Sequence, residues 1–331
     1  MTFIKKIHVA VALLLISSIG NAYEPNCNLF QCEIDDCSPC QPSCWGKGFI
    51  SADLLYWRAF ESGLDRCVPV RTCDTITCDD RVVSRFKGKG RNPHFRWDPG
   101  FRIGFGYAPA CSDWGVAAFW THFHSHANRS ENCRSEHRWK LDLDTVDVVL
   151  GYDFDLNCCV HLRPFGGVRW ANIDQHLNFG QGFESRSDCS SSSSNPRGSN
   201  DLNFSKTHLK QDFSGVGPLL GLEADWKIGC GFSFYISGAV SWLYGKFHIN
   251  KQNSNVSADT ASYWSERTRL DANVAATDAG LGVRWQTCIF GNKQLFLQLG
   301  LEHHRYYDFN RIGNYGDLSF DGANFSAAIE F

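Results

Sequence analysis

The chain has 331 residues, a formal charge of −3, and 11 Trp, 10 Tyr, 25 Phe, 30 Gly, 15 Cys and a single Met. A slightly acidic balance argues against nucleic acid as a partner, which selects a basic face. So much aromatic residue and glycine with so little methionine speaks against a soluble α/β enzyme and fits a membrane barrel, where only alternate residues meet lipid.

The first 22 residues carry Lys5 and Lys6, an apolar run over 7–19 and the small-residue end Gly20-Asn21-Ala22. They read as a secretory signal peptide. The run is too short to span a bilayer as a mature helix, and no later stretch reaches the roughly 18 continuous apolar residues that a spanning helix needs. Residues 23–46 follow as a Cys-rich tail and 47–331 as the barrel.

From there, stripes of period two predict about ten strands, each with one apolar face. In chain order the stripes are Ile50 to Tyr56, Phe101 to Tyr107, Trp114 to Trp120, Val146 to Tyr152 and Val160 to Trp170. Then come Val216 to Trp226, Phe234 to Tyr244, Ala279 to Trp285, Leu295 to Leu301, and the terminal strand from Ala323 to Phe331. Many stripes end on Trp or Tyr, as at a membrane boundary, while the opposite faces hold Gly, Ser and charges, as a wet or charge-paired lumen would. The fold class is therefore all-β, a transmembrane antiparallel up-and-down barrel of about ten strands, or twelve if the long loops hide a further hairpin.

The connections alternate between short (109–113, 155–158, 227–231, 287–292) and long (60–99, 125–138, 172–211, 250–265, 308–317). Outer-membrane barrels have short periplasmic turns and long external loops, which orients the chain with both termini in the periplasm. A C-terminal strand ending on an aromatic is read by the barrel-assembly machinery, so Phe331 is the expected insertion signal.

The cysteines then sort by compartment. Cys27, Cys32, Cys37, Cys40 and Cys44 lie in the tail, and Cys111, Cys158, Cys159, Cys230 and Cys288 lie in or beside short turns, giving ten periplasmic disulfide candidates. Cys67, Cys73, Cys78, Cys133 and Cys189 are the external ones. In an exported chain disulfides are favoured over zinc for the Cys37-x2-Cys40-x3-Cys44 spacing. Each group is odd in number, so some thiols are available to another copy or to other Cys-rich envelope proteins.

Candidate chemistry is sparse. His122, His124 and His126 share one strand face beside Ser125, a pattern open to metal binding or hydrolysis, but spacing fixes no nucleophile motif and no carboxylate partner. Asp142 and Asp144 share a face and Asp147 takes the other, with Arg163 and Arg169 as cross-strand candidates. If Arg102, Arg163, Arg169 and Arg284 face Glu223, Asp225 and Glu302 in the lumen, they narrow and polarise a pore. No catalytic residue, cofactor or metal site is assigned.

The segments Gly48 to Leu64, Trp97 to Tyr107, Leu162 to Gln175 and Phe213 to Leu222 resemble blocks of the major-outer-membrane-protein-like, pore-forming family of Legionella and chlamydia-related bacteria. The resemblance runs from about Gly48 to Phe331. It implies a porin-like barrel in the bacterial outer membrane, in contact with its lipid, without catalytic residues. The cysteine content departs from the plain family pattern and is similar to chlamydial envelopes, where disulfide-linked outer-membrane proteins share a mechanical role. The expected function is passage of small hydrophilic solutes or ions combined with a disulfide-linked envelope role. The alternatives are a non-conducting structural or adhesive barrel and, after it, an outer-membrane hydrolase.

Overall fold

The computed structural model describes residues 46–64, 95–131, 135–157, 159–185, 201–256, 261–289, 293–312 and 315–331. The signal peptide, the tail with its five cysteines, and Cys67, Cys73, Cys78, Cys133, Cys158 and Cys189 lie outside the described residues.

Eleven strands follow in chain order: β1 (Lys47–Glu61), β2 (Trp97–Ala108), β3 (Trp114–Glu131), β4 (Ser135–Tyr152), β5 (Phe154–Asp155), β6 (Val160–Ser185), β7 (Asp201–Gly229), β8 (Phe232–Val256), β9 (Ala261–Ile289), β10 (Lys293–Asn310) and β11 (Gly316–Glu330). Each long strand pairs antiparallel with its neighbours, and β4 pairs with β6 to close the ring. The two-residue β5 pairs only with the start of β6, so the cylinder has ten strands and not twelve. Closure leaves no edge within the bilayer, the condition for a sheet to span lipid. The barrel's first and last strands meet in that wall: Gly48 N–H donates to the Phe331 carbonyl at 2.9 Å and Phe331 N–H donates back at 2.8 Å.

Alternation sets the facing. On β1, Ile50, Leu54 and Tyr56 are more than half exposed, while Leu55, Trp57 and Ala59 are buried inside. Near the short turns every strand repeats this, with apolar side chains outward as lipid requires.

Toward the long-loop end the pattern inverts. On β8 the outward apolar series Phe234, Ile236, Val240, Trp242, Tyr244 gives way to inward Leu243, Phe247 and Ile249. Leu141 and Leu143 of β4, Ile173 and Leu177 of β6 and Leu209 and Phe213 of β7 are likewise buried inside. Above the membrane the outer wall meets water and the inner face becomes the core. The connections read as 125–138, 172–211 and 250–265 are therefore mostly strand, because the strands continue after their outward stripe has ended. One alternating series stops while another, offset by one residue, takes over.

The strands are unequal. β6 to β9 have 25 to 29 residues, the other long strands 12 to 18. The ladder of β9 with β10 ends at Ala276 and Tyr306, whereas that with β8 runs on to Ala261 and Val256.

Candidate functional site: a charged chamber beneath an apolar stopper

The inverted faces fill the bore at the loop end. Trp57, Phe123, Trp139, Phe213, Phe247, Phe309 and Phe320 are fully buried in one contiguous cluster. Part of this stopper comes from the irregular end of β10 and the turn that follows it. Asp308 has a positive φ of 49°, an unusual left-handed turn for a residue with a side chain, and after it Phe309 and Ile312 are buried in the bore. The Phe309 ring lies 5.6 Å from that of Phe213 and 5.4 Å from that of Phe247.

A polar thread runs through the stopper. Glu61 is fully buried, and its Oε2 accepts from Trp139 Nε1 at 3.2 Å and Gln175 Nε2 at 3.0 Å. Gln211 donates to the Phe309 carbonyl at 3.1 Å and accepts from Arg311 N–H at 2.8 Å. Asn310 donates to the Ser62 carbonyl at 3.1 Å. Residues 308–312 are thus tied to β7 and to the end of β1.

Between stopper and short turns lies a chamber of about 400 Å³ whose lining includes Asp53, Arg102, Arg163, Glu223, Tyr235 and Glu302. Three guanidiniums organise it. Arg102 binds Glu302 at 2.9 Å and Asp53 at 3.3 Å; Arg169 binds Asp147 at 2.7 Å and Asp278 at 2.6 Å; Arg284 binds Glu223 at 2.5 Å and Asp225 at 2.9 Å. His304 joins the first two groups, 2.7 Å from Asp278 and 3.2 Å from Glu302. Forked guanidinium contacts of this kind are the strong class of hydrogen bond. Arg163, by contrast, reaches toward the rim, 3.4 Å from Asp153 in the β4–β5 turn. Burial raises the Asp153 carboxyl, but the His161 hydrogen bond and Arg163 outweigh it and hold the group below its ordinary value.

All seven charges singled out in the sequence lie in these contacts. Sequence reasoning missed Asp53, Asp278, His304 and the Glu61–Gln175–Gln211 thread. Inward parity on strands already recognised could have found the first three, whereas the thread sits where the outward stripes had stopped.

The outer histidines have carboxylate neighbours that linear spacing left unassigned. His122 lies 2.9 Å from Asp144, His124 lies 2.5 Å from Asp142 and His126 lies 3.7 Å from Asp98. The β3–β4 register supplies the first two partners, and Asp98 comes from β2. Ser125 faces the other way, fully buried, and its hydroxyl donates to Asp98 at 2.8 Å. Ser125 thus gives its hydroxyl to Asp98 and not to an imidazole, and among the described residues no group of three His, Cys, Asp or Glu is placed to hold a metal ion.

Cys111, Cys159, Cys230 and Cys288 all lie at the short-turn end. Cys111 and Cys230 are exposed, both at positive φ in tight turns.

Residues 37–327 match the family described as Legionella pneumophila major outer membrane protein precursor. None of the curated proteins matches the chain. Solved structures that align with it include the outer membrane protease OmpT from Escherichia coli (11% identity, 88% of this chain and 97% of that one, TM-score 0.41). The attachment invasion locus protein Ail of Yersinia pestis aligns at 11% identity over 87% and 99%, with a TM-score of 0.28. A major outer membrane protein from Thermus thermophilus aligns at 10% identity over 86% and 99%, with a TM-score of 0.32.

Proposed function

We propose that this chain, which belongs to the Legionella pneumophila major outer membrane protein family and resides in the bacterial outer membrane, is a gated pore for small hydrophilic solutes or ions, seen in its closed form. The short turns face the periplasm and the stopper faces outside, following the usual asymmetry of such barrels. The observation that carries the reading is the pairing of a charged chamber with a stopper built partly from the irregular end of β10 and the turn after it, residues 308–312. A strand end anchored by a few hydrogen bonds is easier to displace than the regular wall, and in this reading its displacement is the first step of opening.

A second reading is favoured by the completeness of the apolar layer: a permanently sealed structural barrel, linked through the cysteines at its periplasmic end to other envelope proteins or to its own copies. Planar-bilayer recording separates the two. The gated pore gives rare, brief conductance steps in the native protein and frequent ones in Phe309→Ala; silence from both across a range of salts leaves only the sealed barrel. Non-reducing against reducing electrophoresis of native membranes tests the linkage, and a monomer in both lanes removes it.

A further inference from the structure

The chamber's charges do not balance. Asp53, Asp147, Glu223, Asp225, Asp278 and Glu302 are six carboxylates, set against Arg102, Arg169, Arg284 and His304. Even with His304 protonated, six minus four leaves two negative charges. The Arg163–Asp153 and Lys47–Glu330 pairs at the rim are each neutral and leave that surplus unchanged. Uncompensated charge inside a protein is costly unless a partner neutralises it.

A second observation shows where the demand is greatest. The Asp53 side chain is 9% exposed and lines the chamber. Its Oδ2 makes the long 3.3 Å contact with Arg102, while its buried Oδ1 has no hydrogen-bond partner among the described residues. Aromatic rings of Phe49 and Phe119 stand in the same lining, and ring faces attract cations.

We infer that the chamber binds a small organic dication, a linear diamine with an ammonium at each end. One ammonium donates to Asp53 Oδ1, and the other lies toward the carboxylates held by Arg284. A diamine suits the site better than a bare metal ion. The carboxylates are already committed to guanidiniums, no three ligands converge among the described residues, and the volume exceeds that of an ion. The inference rests on the reading of the chamber as the solute-accessible part of a pore, but equilibrium binding does not require conduction.

Titration calorimetry on the detergent-refolded barrel tests it, with 1,4-diaminobutane as probe, 1,4-butanediol as the uncharged isostere and potassium chloride at matched ionic strength. Saturable diamine binding is expected, weakened at least tenfold in Asp53→Asn, with none for the diol. Glu223→Gln, at a carboxylate that lines the chamber, is a second variant with the same expectation should the first not refold. No saturable diamine binding to the native barrel, equal binding of the diol, or affinity unchanged in a folded variant overturns the inference. Binding with a silent bilayer would overturn the pore and leave the diamine site standing.

Discussion

Arg102 on β2 grips Glu302 on β10 with both arms of its guanidinium, Nη1 to Oε1 at 2.9 Å and Nη2 to Oε2 at 3.0 Å, across the two strands that lie between them. These two strands, β1 and β11, are the barrel's first and last and form its seam. The fork is thus a cross-brace over the barrel's closure. Removing one partner strands the other in the bore. Arg102→Met is expected to lower stability by about 3–5 kcal/mol, and the double variant Arg102→Met/Glu302→Leu to recover much of that. Urea unfolding followed by tryptophan fluorescence reads both, and equal losses in single and double variants would contradict the brace.

Glu61 is a buried carboxylate with two neutral donors and, among the described residues, no cation beside it. Its Oε1 has no hydrogen-bond partner among the described residues. Glu61→Gln keeps an acceptor for Trp139 and Gln175 without a charge to bury, so it is expected to raise stability by about 1 kcal/mol. Trp139→Phe removes a donor and is expected to cost about 1–3 kcal/mol. Unfolding midpoints that move the opposite way would show that Glu61 has a charged partner in solution.

Asp153 lies outside the spanning strands, and His161 and Arg163 hold its carboxyl below the ordinary range. A carboxyl lowered in the folded state adds stability that is present above its unfolded value near pH 4, and that stability is lost as pH falls through the folded value. The group is partly exposed, so the effect is small and screened by salt. Asp153→Asn should flatten the acid limb of a stability profile measured between about pH 5 and pH 2, leaving neutral stability little changed. An unaltered acid limb would contradict the assignment.

Two glycines in neighbouring strands give a matched test of the wall. A Cβ on Gly217 of β7 would lie 1.8 Å from the Trp242 carbonyl oxygen of β8, whereas one on Gly238 meets nothing within 4 Å. Gly217→Ala forces the two backbones apart and is expected to cost about 1–3 kcal/mol; Gly238→Ala is expected to be near neutral. The heat-modifiable gel shift of the folded barrel separates them.

The membrane half of the barrel was legible in the sequence because lipid imposes one rule on every strand. Ile50, Leu54 and Tyr56 point outward with Ser51 and Asp53 between them, and the same holds around the ring. The half above the membrane was not, because there the apolar phase shifts by one residue, as between Tyr244 and Phe247 on β8. A reader following one stripe sees it stop and reads a loop. Charge pairing was only partly legible, since Arg169 meets Asp278, 109 positions away, through a curvature that no linear spacing encodes.

The ladder between β9 and β10 ends at Ala276, and residues 261–275 of β9 carry on bonded to β8 alone among the described residues. Over those residues the wall is an open sheet whose last strand offers a row of backbone groups to the surroundings. Such a margin invites recruitment of foreign strands, and natural sheets protect it with charge. Here Glu266, Arg267, Arg269 and Asp271 crowd into six positions, all exposed. Four charged side chains in so short a stretch make that margin a poor template for a further strand, whatever chain offers one.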